Sequence, residues 1–370
     1  MNKFKRLGIQ LLLALAVTSC SSEKQNMMQH ILVGTYTGHG SEGIYQISLD
    51  TNTGQLTADG LLIKTPNPSY LAVNAGKELI FAVDESDTGY VSAFKKAPDG
   101  KWSVTSRLSV MGSAPCYVDI SPSGNTLAVA NYMSGNVAFF SIDRNGSIQS
   151  NPTIYQHIGK GPVSERQEAA HAHCAIFDAA GKYVYVVDLG IDKVMAYPVS
   201  NSGVSEGHVA LSCDPGDGPR HIVFSQEGNV AYLINELSNT ISVLSVDPDQ
   251  GLLSPLQKIS TLPSDFSGKS QCADIHLSRD GKYLYASNRG HNSIVVFSVA
   301  EGGKLSLLAT EPVRGDWPRK FLLTSDGKYL LVANQLSGNI VVFNILPTGG
   351  LSFSGKELKM NSPVCLKEVD

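Results

Sequence analysis

An interval of 16 residues recurs six times along the chain and constrains its fold more than any other feature. In one copy it separates Pro219 from Asn235, and a glycine, Gly228, lies between them. We call the two ends of the interval the first and second markers. The other marker pairs are Pro68 and Asp84, Pro115 and Asn131, Ala172 and Asp188, Cys272 and Asn288, and Pro318 and Asn334. The corresponding glycines, eight or nine residues after each first marker, are Gly76, Gly124, Gly181, Gly281 and Gly327.

Apolar residues alternate on both sides of each glycine, as in SQEGNVAYL and SRDGKYLYA, and this pattern predicts a β-hairpin. A further alternating run follows each second marker, for example TISVLSV, and several copies add a fourth run. Each unit is therefore predicted to be a four-stranded antiparallel meander, with successive glycines 46 to 57 residues apart. Four-stranded repeats of about 40 to 50 residues are typical of β-propeller blades, which bury both faces of each sheet by stacking around an axis.

The two ends of the repeat region predict seven blades and the way in which the ring closes. The runs HILVGTYT, GIYQISL and LTADGLLIKT look like strands two to four of a blade that lacks its innermost strand. The last run, SPVCLKEVD, looks like an innermost strand with nothing after it, and its Pro363 takes the first-marker position. We therefore predict an all-β fold over residues 30–370, a seven-bladed β-propeller in which the C-terminal strand completes the first blade.

The first 29 residues are predicted to lie outside the propeller. Three basic residues among the first six precede a short apolar run and the sequence VTSC, which ends at Cys20. This run is too short to span a membrane and is typical of a secretory leader, and VTSC resembles the lipidation motif of bacterial lipoproteins. We predict a lipoprotein signal peptide over residues 1–20, lipidation at Cys20 and a polar tether over 21–29. The protein would then be exported and held in a bacterial cell envelope, on its periplasmic or surface side, by a lipid anchor alone. A plain signal peptide with an incidental cysteine is the alternative.

Composition excludes several classes of partner. The net charge of −4 and the lack of any cluster of lysines and arginines argue against a nucleic-acid partner or an anionic membrane surface. The five cysteines after Cys20 show neither a CxxC pair nor the spacing of metal ligands, so we predict no metal and no cofactor. Core packing of these thiols is favoured over a disulfide, although an exported compartment would permit one.

The positions that follow the markers vary from copy to copy, and they predict the functional site. The innermost strand of a blade and its neighbour are antiparallel, so the two markers lie at the same face of the ring. Residues just after them should therefore surround one funnel on the axis. The charged and imidazole side chains at these positions are Glu85, His173, Arg220, Glu236, Arg289 and Arg319, and His171, His221 and His291 lie within two residues of them.

Each of these residues also has a structural interpretation. His171 and His173 alternate along a strand and so face the same way, but a histidine in a strand is often structural. Arg220 and Glu236 are consistent with an ion pair within one blade, and Arg289 with a loop cap. The remaining charges, Glu85 and Arg319, fit rim positions. The asparagine or aspartate at the second marker is expected to bond the backbone of the turn that follows it.

The repeats resemble the lactonase family of seven-bladed propellers, which contains bacterial 6-phosphogluconolactonases and fungal carboxy-muconate lactonising enzymes. The stretches that carry the resemblance are HAHCAIFD, GDGPRHIVFSQEGNVAYLINEL, CADIHLSRDGKYLYASNRGHNSIVVF and PRKFLLTSDGKYLLVANQ. The resemblance implies a catalytic cluster of His173 (or His171), Arg220, Glu236 and Arg289. From the positions around the markers we also predict substrate contacts by the neighbouring residues His171, His221, His291, Arg319 and Glu85.

The activity that this resemblance implies is hydrolysis of a sugar-acid lactone, with 6-phosphogluconolactone as the family substrate, by a carboxylic-ester hydrolase of glucose metabolism. We favour His173 as the base, Arg220 and Arg289 as ligands of the anionic substrate and its oxyanion, and Glu236 as an orienting group. An exported protein would not meet a phosphorylated cytoplasmic metabolite, so a different lactone outside the cell stays open. Two other hypotheses also stay open: a lactonising cyclase, and a tethered propeller that binds a ligand or partner without catalysis.

Overall fold

The computed structural model describes residues 28–369, which form an almost purely β structure. Within this range 29 strands assemble into seven separate antiparallel sheets. The innermost strands of the seven sheets contact one another in cyclic order, so the sheets are arranged as blades around one axis. The predicted all-β, seven-bladed β-propeller is thus confirmed.

The strands of each blade follow one another from the axis outwards, except in the first blade. Blade 1 contains β1 (Met28–Thr35), β2 (Gly43–Asp50) and β3 (Leu56–Lys64), with β29 (Pro363–Glu368) innermost. Blade 2 contains β4 (Leu71–Val73), β5 (Leu79–Asp84), β6 (Tyr90–Lys96) and β7 (Trp102–Ser109), and blade 3 contains β8 (Pro115–Ile120), β9 (Thr126–Asn131), β10 (Asn136–Ser141) and β11 (Thr153–Gln156). Blade 4 contains β12 (Ala172–Phe177), β13 (Tyr183–Asp188), β14 (Lys193–Ser200), the short β15 (Gly203–Val204) and β16 (His208–Ser212).

The remaining three blades are regular four-stranded sheets. Blade 5 contains β17 (Pro219–Phe224), β18 (Val230–Asn235), β19 (Thr240–Asp247) and β20 (Leu252–Ser260), and blade 6 contains β21 (Gln271–Leu277), β22 (Tyr283–Arg289), β23 (Ser293–Val299) and β24 (Leu305–Pro312). Blade 7 contains β25 (Pro318–Leu323), β26 (Tyr329–Asn334), β27 (Asn339–Ile345) and β28 (Leu351–Lys359). Two 3₁₀ turns, Thr37–His39 and Glu301–Gly303, occur in connections.

Burial decreases from the inner strands of a blade to its outermost strand. Every residue of β18 and of β26 is buried, because both faces of a second strand are covered by neighbouring blades. The outermost strand β28 instead alternates between more and less exposed residues, since one of its faces meets solvent. The apolar runs around the repeated glycines therefore form the packed interior.

The repeated glycine is required by the backbone of the first hairpin. Gly228 has φ +70°, and the equivalent glycines of blades 3, 4, 6 and 7 have φ between +67° and +74°. This left-handed region is costly for a residue with a Cβ atom. In blade 2 the turn is shifted by one residue, and Lys77 adopts φ +53° in place of Gly76.

The C-terminal strand closes the ring as predicted. Strand β29 pairs antiparallel with β1, and Val33 lies opposite Leu366. Strand β1 begins at Met28, two residues before the predicted start of the propeller at residue 30, because Met28 and Gln29 already pair with β2. The predicted leader and Cys20 lie outside the described residues. Among residues 28–369, no helix has the length and apolar character needed to cross a membrane.

The two markers of a blade are cross-strand partners. Pro219 lies directly opposite Asn235, and the same holds for the marker pairs of blades 3, 4, 6 and 7. Immediately after each of these first markers the register shifts, so the strand contains a β-bulge there. A bulged residue is released from the ladder and its side chain is re-aimed. The variable residue after the first marker occupies this position.

The role expected for the second marker was only partly correct. In blade 4, Oδ1 of Asp188 accepts the backbone N–H of Gly190 in the turn that follows, as predicted, at 3.0 Å. In blade 6 the amide of Asn288 instead donates to the carbonyl of Thr261, in the connection that precedes the blade, at 3.0 Å. The equivalent bonds in blades 3 and 7 join Asn131 to Val110 and Asn334 to Val313. In these three blades the asparagine amide therefore bonds the connection that precedes the blade.

Candidate active site

The bulged residues of different blades meet at the axis of the ring. A small cavity there, which we call the axial cavity, is lined by the residues that follow the first marker in five blades: Ser69, Cys116, Arg220, Arg319 and Val364. Their neighbours Tyr70, His221 and Lys320 complete the lining. The variable positions of the repeat therefore surround one shared space, as their spacing predicted.

Beside this cavity a buried carboxylate is surrounded by guanidinium groups. Oε2 of Glu236 lies 2.9 Å from Nε of Arg220 and 2.7 Å from Nη2 of Arg289. Its other oxygen, Oε1, lies 2.6 Å from Nη2 of Arg166. We call these four residues the guanidinium cluster. The predicted residues Arg220, Glu236 and Arg289 are thus brought together from blades 5 and 6.

Backbone carbonyls fix the two buried arginines of the guanidinium cluster. Arg220 donates from Nη1 to the carbonyl of Ala273, and Arg289 donates from Nη2 to the carbonyl of Cys272 at 2.8 Å. Arg289 also lies over the ring of Trp317, 5.3 Å from its centroid. Because both side chains are held by several partners, their positions are set before any ligand arrives.

The electrostatics of the cluster keep Glu236 ionised. Burial raises the pKa of this carboxyl, but Arg289, Arg220 and Arg166 together outweigh burial and hold the pKa at about 2. Burial also lowers the pKa of Arg289, and repulsion from Arg220 and Arg319 adds to this effect, so that its pKa is about 10 despite Glu236. A carboxylate with so low a pKa and both oxygens engaged is a poor proton acceptor, and its role here is to hold guanidiniums in place.

The two histidines of HAH have different surroundings. His171 is engaged at both ring nitrogens: Nδ1 lies 2.8 Å from the carbonyl oxygen of Tyr132, and Nε2 lies 3.2 Å from Glu168. Its ring also stacks on that of Tyr132, with centroids 4.6 Å apart. These contacts make His171 a support for the wall of the site.

His173 occupies the bulge of blade 4 and faces the axis. Its Nδ1 lies 3.8 Å from Sγ of Cys116, and its ring meets that of His221 edge-on with centroids 5.4 Å apart. Burial, followed by the charges of Arg220 and Arg319, lowers the pKa of His173 well below its usual value. The imidazole is therefore neutral at physiological pH.

A second charged network lies below Arg220. Nδ1 of His221 is 3.1 Å from Oδ1 of Asp274, and Nζ of Lys320 is 3.0 Å from the same oxygen. Oδ2 of Asp274 lies 2.8 Å from Nε2 of His276. Burial and the neighbouring Arg220 lower the pKa of His221 to about 3, so this imidazole is neutral. The network ties the innermost strands of blades 5, 6 and 7 together beneath the site.

The structure brings some of the other predicted substrate contacts to the site and leaves one outside it. Arg319 lines the axial cavity, and its Nη2 lies 3.8 Å from Oε2 of Glu85, which also accepts the hydroxyl of Tyr36 at 2.9 Å. His291 is not brought to the site: its Nδ1 lies 2.7 Å from Oγ of Ser293, and its ring meets that of Phe266 edge-on. Its prediction as a substrate contact is not supported, because the residue lies in the turn beyond Arg289.

Sequence reasoning missed Arg166, Asp274 and Lys320. Arg166 lies in the connection over residues 157–171, which has no counterpart of similar length among the other described connections between blades. This unusual length is the sequence signal that could have identified the connection as functional. Asp274 and Lys320 stand two residues after their first markers, and the face to which they point depends on the form of the bulge.

Other possible sites lie away from these residues. A surface groove of about 810 Å³ is formed by the first-hairpin turns of blades 6 and 7, around Tyr283 and Tyr329, at the face opposite the markers.

Among residues 28–369, no three histidine, cysteine, aspartate or glutamate side chains converge as a metal would require. All five described cysteines are free thiols, as the packing argument predicted.

Comparison with known proteins agrees with the seven-bladed fold. The family model described as "Lactonase, 7-bladed beta-propeller" matches residues 30–368. The chain belongs to this lactonase family. The resemblance seen in the repeats is therefore confirmed over almost the entire described chain.

Relatives within the lactonase family carry related names. A Bacillus subtilis protein named 6-phosphogluconolactonase is 38% identical over 293 residues, which cover 78% of this chain and 83% of the relative. The solved structure of a periplasmic gluconolactonase from Pseudomonas aeruginosa superposes with a TM-score of 0.86 at 31% identity, covering 93% of this chain and 99% of that one. A putative 6-phosphogluconolactonase from Bacteroides fragilis gives a TM-score of 0.85 at 33% identity, with the same coverages.

Proposed function

We propose that this lactonase-family protein hydrolyses the ester bond of a sugar-acid lactone, with 6-phosphogluconolactone as the first candidate substrate. The observation that carries the proposal is the guanidinium cluster together with a neutral imidazole, His173, which contacts the cavity-lining residues Cys116 and His221. The names of the Bacillus subtilis and Pseudomonas aeruginosa relatives support a sugar lactone as the substrate.

Hydrolysis requires a water made nucleophilic and a place for negative charge. In the proposed mechanism His173 accepts a proton from water as the oxygen attacks the lactone carbonyl carbon. The negative charge that develops on the carbonyl oxygen is stabilised by the guanidiniums of Arg220 and Arg289. The ring C–O bond then breaks, and the proton on His173 passes to the departing alkoxide, which yields the open hydroxy acid.

Glu236 acts through the arginines in this mechanism. Both of its oxygens are engaged by guanidiniums, and its pKa of about 2 makes it a poor base. Without its charge, three guanidiniums would repel one another in a site with little water. Fixed, desolvated cations stabilise a developing oxyanion because they need no reorganisation during the reaction.

We also propose that the protein is exported and anchored by a lipid at Cys20. Support comes from the leader sequence that ends in VTSC, and from the similarity of the chain to a Pseudomonas aeruginosa gluconolactonase that is described as periplasmic. Metabolic labelling with a lipid precursor tests this proposal, with Cys20→Ala as the variant expected to lose the label. A label that persists in this variant contradicts anchoring at Cys20.

The enzymatic proposal is tested with purified protein lacking residues 1–27, incubated with gluconolactone, 6-phosphogluconolactone and muconolactone. Wild type should open at least one lactone above its spontaneous rate, and Glu236→Ala and Arg289→Ala should lose that activity. Lys101→Gln, at a distant exposed lysine, is the matched control for charge removal. Equal activity or equal inertness of wild type and the site variants contradicts the proposal. Product analysis distinguishes hydrolysis from lactonisation of an unsaturated diacid.

A further inference from the structure

A loop that is anchored by hydrogen bonds positions Arg166 in the guanidinium cluster. Within the connection 157–171, the buried Gln167 donates from Nε2 to the carbonyl of Leu189 and to Oδ1 of Asp192, both at 2.8 Å. Its Oε1 accepts the backbone N–H of Val163 at 3.1 Å. The residue next to Arg166 is thus fixed on three sides, so the position of Arg166 is set by the fold.

Arg166 differs from the other two arginines of the guanidinium cluster in its access to solvent. Its side chain is 30% exposed, whereas those of Arg220 and Arg289 are 2% and 5% exposed. Only its Nη2 has partners among the described residues, Glu236 and the hydroxyl of Tyr132 at 3.3 Å. Of the three arginines in the cluster, Arg166 is therefore the one that a dissolved molecule can reach most readily.

Arg319 is the second partly accessible guanidinium of the site. Its side chain is 18% exposed, and within residues 28–369 its carboxylate neighbour is Glu85, at 3.8 Å. Because Oε2 of Glu85 already accepts the hydroxyl of Tyr36, Arg319 lacks the close two-point contact that guanidiniums form with carboxylates. Its guanidinium lies over the ring of Tyr36, 5.3 Å from the centroid, which orients it without using its N–H donors.

Cationic charge and donors exceed anionic charge and acceptors in this part of the molecule. Four guanidiniums, from Arg166, Arg220, Arg289 and Arg319, are paired with only two carboxylates, Glu236 and Glu85, among the residues described. The buried Nε of Arg289 has no acceptor in the described chain. Repulsion among the arginines also contributes to the lowered pKa of Arg289. An incoming anion would relieve this imbalance.

We propose that Arg166 and Arg319 are specificity-determining residues that bind the acidic group of the lactone substrate, a phosphate ester or a carboxylate remote from the ring carbonyl. This inference rests on the proposed lactonase function and narrows its substrate class to anionic lactones. Arg220 and Arg289 remain for the carbonyl oxygen, because they lie deeper and are already held by Glu236 and by backbone carbonyls. The planar fork of arginine suits phosphate and carboxylate groups.

The experiment compares two lactones that differ only in a phosphate, gluconolactone and 6-phosphogluconolactone. Wild type should have the lower KM for the phosphorylated lactone. Arg166→Gln and Arg319→Gln should each raise that KM about tenfold to a hundredfold, the range expected for a hydrogen bond to a charged group. The KM for the neutral lactone should rise less, so that each variant loses most of the preference for the phosphorylated lactone. Arg166→Lys and Arg319→Lys should restore part of the loss, and Lys101→Gln should change neither constant.

The outcomes separate this inference from the proposed function. A wild type that does not prefer the phosphorylated lactone, or variants that lose both activities equally, overturn the specificity role and leave the lactonase proposal standing. If wild type opens neither lactone, the proposed function fails. Calorimetric titration with 6-phosphogluconate and gluconate then decides the anion site by itself: tighter binding of the phosphorylated acid that both glutamine variants abolish supports it, and equal binding overturns it.

Discussion

Nη2 of Arg289 and Oε2 of Glu236 lie 2.7 Å apart although the two residues belong to different blades. Each stands at the end of a second strand, one residue after the second marker of the repeat. The pair therefore joins blades 5 and 6 at the axis while it forms part of the candidate active site. We therefore expect this contact to contribute both to stability and to the proposed activity.

Replacement of Glu236 by glutamine should impair both properties. Glu236→Gln retains the shape of the side chain but leaves three guanidiniums around a neutral amide. We expect kcat/KM to fall by about a hundredfold or more, and the free energy of unfolding to fall by about 3–5 kcal/mol, as when one partner of a buried ion pair is removed. Lactone turnover and urea denaturation measure the two effects. The exposed Glu227 of the same blade provides the control, Glu227→Gln, which should change neither quantity.

Replacing each of the two histidines of HAH in turn should distinguish a catalytic role from a structural one. His173→Gln removes the imidazole that we assign as the base, and kcat should fall about a hundredfold to ten-thousandfold. His171→Gln removes bonds to Tyr132 and Glu168, so it should lower thermal stability and leave the pH dependence of kcat in place. The reverse pattern, with the pH profile altered by the change at His171 alone, would assign the base to His171.

Buried neutral imidazoles should make the fold sensitive to acid. The folded-state pKa of His221 is about 3, whereas its unfolded value is about 6.5. Between these values the unfolded chain binds a proton that the folded chain does not, so stability falls as the pH drops below about 6.5. The lowered pKa of His173 acts in the same direction.

Each such group contributes at most about 1.4 kcal/mol per pH unit. Urea denaturation between pH 7.5 and pH 5 measures the slope. His221→Gln should reduce this slope by about the contribution of one titrating group. His30→Gln, at a histidine whose side chain is 39% exposed, is the comparison variant. A slope that His221→Gln leaves unchanged would show that this residue is protonated when folded.

The repeated hairpin glycine should tolerate substitution according to its backbone angle. Gly228 has φ +70° with open space around its missing Cβ, so Gly228→Ala is destabilised by backbone strain alone, about 1–2 kcal/mol. Gly76 has no positive φ and the atoms nearest its missing Cβ are at ordinary contact distance, so Gly76→Ala should be neutral or slightly stabilising. Thermal or urea unfolding of both variants checks the contrast, and equal losses would contradict it.

Most of the fold and much of the candidate site could be predicted from the repeat. The 16-residue interval predicted the blades because its two ends, such as Pro219 and Asn235, are direct cross-strand partners. The residues after the markers differ from blade to blade while the rest of the repeat is kept, and this predicted that Arg220, Glu236 and Arg289 face a common space.

The remaining parts depend on geometry that a repeat does not encode. Arg166 lies in a connection with no equivalent in the other blades that the structure describes, and its approach to Glu236 joins residues 70 positions apart. The partner of Asn288 was mispredicted because the curvature of the ring, rather than local sequence, brings Thr261 above it. Alternation alone would not place Arg220 and His221 beside the same cavity, and the β-bulge does so.

The pairing of β1 with β29 also has a consequence for how the molecule is assembled. Ile31 and Glu368 are opposite one another although almost the whole chain separates them. Contacts of such large sequence separation form slowly, since a long flexible segment must be confined before they are gained. Val364 of β29 lines the axial cavity, so the cavity is incomplete until β29 has docked against β1. We expect the binding competence of this protein to be the last property that a folding chain acquires.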